Sequence, residues 1–181
     1  MATTSRPLFR RPAVRVALAV VAAFVAVAFV ALEPWNLFID HRVDERSPVV
    51  ATAPADPGAA AQPVVLAGGD LISHEHATTG SVQVIGMPDG SRVLRVADLQ
   101  TSNGPLLKVL LTDAPVLPGT DGWGVFDDGR WVDLGELKGN IGSSNYPLPA
   151  DADLTALTSV SIWCDRFNVS FGAAELTPTG A

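Results

Sequence analysis

The chain has 181 residues, 48% of them hydrophobic, with a net charge of −7, a length that suits one domain with an appendage. Residues 63–181 hold six of the twelve Lys and Arg and fourteen of the nineteen acids, which argues against nucleic acid as a partner, since a phosphate backbone needs a basic surface. The single cysteine, Cys164, rules out a disulfide within the chain; in an exported protein such a thiol is packed away, paired between chains or chemically used.

From Val16 to Leu32, seventeen residues carry no charge. As a helix they span about 25 Å, and Arg15 can snorkel to extend them toward a ~30 Å hydrocarbon core. Trp35 and Phe38 suit the opposite interface. Arg6, Arg10, Arg11 and Arg15 precede the run, whereas Glu33, Asp40, Asp44 and Glu45 come after it. The positive-inside rule therefore predicts a cytoplasmic N-terminus over 1–13, a transmembrane anchor over 14–32 and an extracytoplasmic remainder, single-pass in the cell membrane. A cleaved signal peptide, with Ala26-Val27-Ala28 before the cut, is the competing reading. The run outlasts the ~7–15 apolar residues of such peptides, which favours an uncleaved anchor.

Residues 33–63 read as a juxtamembrane segment and linker. From Ser47 to Pro63 the chain is mostly Ala, Pro and Val, a spacer expected to lift the next domain off the bilayer.

From Val64 the texture changes to short β-branched runs between turn residues. Val64–Leu66 and Leu71–His74 open the series, and Ser81–Ile85 alternates at period two like a half-buried strand. Pro88-Asp89-Gly90 joins it to Arg92–Val96 as a hairpin, because Gly accepts the positive φ of the turn. Leu107–Leu111 is a further strand. Trp123–Phe126 and Arg130–Leu134 flank Asp127-Asp128-Gly129 as a second candidate hairpin. A helical turn over Asp151–Leu157 precedes the last strands, Val160–Cys164 and Asn168–Phe171. About eight short strands at turn-separated spacing predict an all-β fold over 64–181, an antiparallel sandwich or barrel.

Three side chains are candidates for chemistry. Val160, Ile162 and Cys164 share one face of their strand, which puts the thiol toward the core. There it packs as a small hydrophobe or, if its surroundings are polar, acts as a redox centre. His74 and His76, two apart, would project from one face of an extended strand and could ligate a metal ion or haem iron. Loop acids Asp113, Asp121, Asp127 and Asp128 fit no recognised calcium loop. With three histidines in the chain, hydrolase chemistry has few candidate bases.

A set of landmarks then falls in order: His76-Ala77-Thr78-Thr79-Gly80, Thr101-Ser102-Asn103-Gly104-Pro105, Val132 through Asn140, Gly142, Tyr146-Pro147, Val160 through Phe167, and Phe171-Gly172-Ala173-Ala174. Over about 65–180 the chain resembles the DM-thirteen domain family, proposed electron-transfer domains often found beside DOMON domains. Glu33-Pro34-Trp35 looks like its membrane-anchored actinobacterial members. The resemblance implies a β-rich extracytoplasmic domain whose characteristic cysteine falls on Cys164, with a redox role as a bare thiol or as a ligand to a group such as haem. His76 matches the family's recurrent histidine, as a second ligand or proton acceptor, and His74 has no counterpart. Leu106 stands where many members have an acid. The expected partners are the membrane and a redox or cell-surface protein. The alternative is a non-catalytic surface module in which Cys164 is structural.

Overall fold

A computed structural model describes residues 12–49 and 62–180. The N-terminal arginines before Pro12 and most of the Ala/Pro-rich linker lie outside the described residues, as does the side chain of Phe38. One unit of the chain is the helix α1, Pro12–Leu32, whose 21 residues have a mean hydropathy of 2.6 in their most apolar window and none of which is buried. It is long and apolar enough to cross a membrane. Pro12 starts it without loss, since the first helical N–H has no partner to give up. At the other end Glu33 turns to φ 45°, donates its N–H to the Phe29 carbonyl and is succeeded by Pro34, which cannot continue the helix.

The second unit is a β-sandwich of two sheets, as the strand spacing predicts. Its strands are β1 (Arg42–Asp44), β2 (Val64–Asp70), β3 (Ile72–Ser73), β4 (Thr79–Gly86), β5 (Arg92–Gln100), β6 (Leu107–Thr112), β7 (Trp131–Glu136), β8 (Ile141–Leu148), β9 (Ser159–Cys164), β10 (Val169–Glu175) and β11 (Thr177–Pro178). One sheet runs β1-β8-β5-β4-β2-β11 and the other β3-β10-β9-β6-β7. All pairings are antiparallel except β1 with β8.

The alternating residues do what their period demands. Val82 and Val84 of β4 and Leu94 and Val96 of β5 meet Val109 and Leu111 of β6 and Val160 and Ile162 of β9 in one buried core between the sheets. Tyr146 of β8 joins it, and its hydroxyl accepts the Lys138 N–H at 3.0 Å.

Three features depart from the sequence reading. Trp123–Phe126 is not a strand; β7 pairs instead with β6, and residues 113–130 form a loop. That loop drops Phe126 onto the outer face of the second sheet, where it packs with Leu110, Trp163 and Ala173 in a second, smaller core. Every residue of β9 is therefore buried, on both faces. Next, β8 is a full eight-residue strand beside β5 that composition hides, because it reads Ile-Gly-Ser-Ser-Asn-Tyr-Pro-Leu. Last, the domain starts well before residue 64. β1 adds to the edge of β8, so residues 42–44 belong to the sheet.

Asn140, only 1% exposed, fastens this early strand. Its Oδ1 accepts the His41 N–H at 2.7 Å, and its Nδ2 donates to Asp40 Oδ1 and to the Thr101 carbonyl, each at 2.8 Å. Asn140→Ala removes three hydrogen bonds whose partners, Asp40, His41 and Thr101, are exposed or half-buried, and is expected to cost about 1–2 kcal/mol, read as a lowered urea midpoint. A loss below about 0.5 kcal/mol would mean that water replaces the amide freely.

Candidate functional site

Cys164 ends β9, opposite Leu107 of β6 and Val169 of β10. Its side chain faces the core between the sheets and is 0% exposed. The surroundings are not wholly apolar, however. Sγ donates to the Pro105 carbonyl at 3.3 Å. Beyond the strand end, the turn Asp165–Asn168 brings the peptide N–H groups of Arg166 and Phe167 near the sulfur, that of Phe167 donating to the Cys164 carbonyl at 3.3 Å. Burial pushes the thiol above its ordinary range, the two N–H groups pull against it, and the carboxylates of Glu75 and Asp165 push it higher. The thiol is thus the resting form. Arg166 lies beyond the end of the strand, and its side chain is exposed.

The loop that accepts the thiol is fixed by close packing. A Cβ on Gly104 would meet the Phe171 ring at 2.8 Å, so only glycine lets Asn103-Gly104-Pro105 lie on that ring. Asn103 bonds Ile39, its Nδ2 donating to that carbonyl at 3.0 Å. Thr78 closes the other side: its hydroxyl lies 2.9 Å from the Phe171 carbonyl and 2.8 Å from the Thr101 hydroxyl.

His76 reaches the same end of the sandwich. Its ring lies 4.0 Å from the Phe171 ring, centroid to centroid, and Nε2 pairs with Glu75 at 2.9 Å. Glu75 also acts on the sulfur electrostatically. Cys164, Phe171, His76 and Glu75 therefore form one neighbourhood, drawn from β9, β10 and the turn after β3. Neither Glu75 nor the Pro105 carbonyl stands out in the sequence; the one legible signal is the Asn-Gly-Pro segment, whose reason is the contact with Phe171.

His74 goes elsewhere. The chain leaves β3 at Ser73, so the two imidazoles do not share a strand face. The His74 ring stacks on Phe126, 5.6 Å between centroids, beneath the 113–130 loop. Nε2 lies 3.0 Å from the Leu117 carbonyl and must be the donor, which leaves Nδ1 to accept from the Ser170 hydroxyl at 2.8 Å; Ser170 in turn accepts from Ser161 at 2.9 Å. Both ring nitrogens are committed to protein partners. Burial lowers the His74 pKa while the Leu117 carbonyl opposes this. A histidine held neutral in the fold contributes stability above its unfolded value near 6.5 that drains away as pH falls toward the lower folded value. Urea midpoints are expected to decline on acidification below about 6.5, and a His74→Gln chain should show a flatter slope. Equal slopes in the two chains would contradict the neutral buried ring.

Around the sulfur there is no slot for a flat ring: the acceptor loop is closed on Phe171 and the S–H is spent on a carbonyl. A haem held by Cys164 does not fit this arrangement. Among the described residues no three of His, Cys, Asp and Glu are placed to hold a metal ion together. A family model described as "Electron transfer DM13" matches residues 70–176. No curated protein and no solved structure matches the chain.

Proposed function

The chain belongs to the DM13 electron-transfer domain family, and on that premise we propose that it is an electron carrier tethered to the outer face of a membrane, with the Cys164 sulfur as its redox centre. The tether is α1, with Arg15 and the arginines before it on the cytoplasmic side and the acidic domain outside. What carries the redox reading is the polar end of an otherwise aliphatic core. The one thiol has a carbonyl to hold its proton, the peptide groups of the turn after β9 beside it, and the Glu75–His76 pair nearby.

In the forward step Cys164 loses one electron to a one-electron oxidant carried by a partner protein, and its S–H bond gives up the proton. The sulfur is left as a neutral thiyl, the oxidant is reduced by one electron, and the proton passes to the Glu75–His76 pair and then to water. Return of one electron and one proton restores the thiol. Burial matters here, because it keeps the oxidised sulfur from the water and oxidants that would drive it down the irreversible ladder.

An electrochemical titration of the full chain in detergent should find one couple of one electron per chain. A chain that exchanges no electron over the accessible range would overturn the proposal and leave a surface module with a structural cysteine, the reading that full burial of the thiol favours.

A further inference from the structure

The end of the sandwich that holds Cys164 is also where the chain enters the domain, and it is unusually apolar on its surface. Ile39, Leu106 and Phe167 are 44%, 45% and 53% exposed. They are tied to one loop system: Ile39 accepts from Asn103, Leu106 accepts the Asp165 N–H at 3.1 Å, and Phe167 lies in the turn next to Cys164. Leu106 is held outward at φ 54°, a conformation that costs a large side chain free energy and persists only where the surroundings impose it.

The chain itself limits where this end can go. Ile39 is the seventh residue after Leu32, so whatever the orientation of the domain the covalent path keeps it within about 25 Å of the helix terminus. Arg42 and Arg166 are exposed beside this patch, which also carries the exposed acids Asp40, Asp44 and Glu136, so its fit to a lipid surface draws on the apolar side chains and the two guanidinium groups and not on a net positive surface. Two guanidinium groups with no carboxylate partner among the described residues, set around an apolar patch, suit lipid phosphates above acyl chains.

We propose that the Cys164 end of the domain rests on the outer bilayer surface, with Leu106, Phe167 and Ile39 in the headgroup region and Arg42 and Arg166 at the phosphates. The inference rests on α1 being the anchor and not on the chemistry of the thiol. It deepens the proposed function by placing the sulfur where a membrane-resident electron partner, and not a soluble one, would reach it.

The test uses the full chain in phosphatidylcholine vesicles with and without brominated acyl chains, carrying Phe167→Trp at this end or Ala150→Trp at the other end of the sandwich, beyond the β5–β8 pair Arg92–Leu148. Most of the emission added at 167 should be lost to bromine, and that added at 150 retained. Leu106→Trp repeats the measurement if Phe167→Trp does not fold. Equal emission at both positions, quenched or not, would overturn the docking. A chain that fails to float with the vesicles would overturn the anchor, and the docking with it.

Discussion

Phe126→Ala is expected to destabilise the domain by about 3–5 kcal/mol, more than any other single truncation in the loop that carries it. Phe126 is 0% exposed although it belongs to a 113–130 connection with little regular structure. Its ring meets Trp163 edge-on, 6.4 Å between centroids, and stacks on His74. Without it the outer face of β9 and β10 loses its cover, and Trp163, the Ser161–Ser170 pair and His74 become open to water. The cost is a cavity together with wetting of groups whose hydrogen bonds were arranged for a dry site. Urea unfolding should show the loss as a lowered midpoint, with Trp163 emission shifted to the red in the folded state. A loss under about 1 kcal/mol would mean that the loop is an ornament and the second core is not part of the fold's stability.

The second large effect concerns the redox potential that the proposed function assigns to Cys164. Because burial raises the Cys164 thiol, and Glu75 and Asp165 raise it further, the reduced form carries its proton across neutral pH, and each electron removed releases one proton. The midpoint potential should therefore fall by about 59 mV per pH unit, the value for one proton per electron. The sign comes from the proton being on the reduced side: raising pH favours the oxidised form until the thiol itself ionises. Since the thiol is raised, the slope should continue past the pH at which an ordinary cysteine would flatten it. A potential independent of pH near neutrality would show that the electron comes from a thiolate or from another group. His76→Gln should leave the slope intact and slow the approach to equilibrium, because it removes the proton's first stop and not the proton.

How much of this could be read from the residues depends on whether the relevant neighbour is local. Alternation along Ser81–Ile85 and Arg92–Val96, with Asp-Gly between them, needs no knowledge of the fold, and β4 and β5 arise from it. The same period puts Val160, Ile162 and Cys164 in the inner core. Ser161 and Trp163 on the opposite face are buried only because the 113–130 loop lies over them, and nothing in β9 announces that cover. β8 is hidden for a similar reason: Ser143 and Ser144 are buried polar residues whose strand is imposed by β5. β1 is three residues long and pairs with a strand about a hundred positions away, so no local pattern reveals it. The site divides along the same line. A lone cysteine near the core and a histidine at the end of a short strand are visible in sequence. The Pro105 carbonyl, 59 positions from the sulfur, and the partition of His74 and His76 between different surroundings belong to the tertiary fold.

Cys164→Ala in the full chain tests the redox centre most directly. The side chain is small and its site closed, so alanine leaves a minor cavity and the sandwich intact, which circular dichroism and the Trp163 emission would verify. Voltammetry of the folded variant beside the native chain is then decisive. If the sulfur is the redox centre, the one-electron couple vanishes with it. A couple of undiminished amplitude and unchanged potential in the alanine chain would contradict that assignment and move the electron to another group.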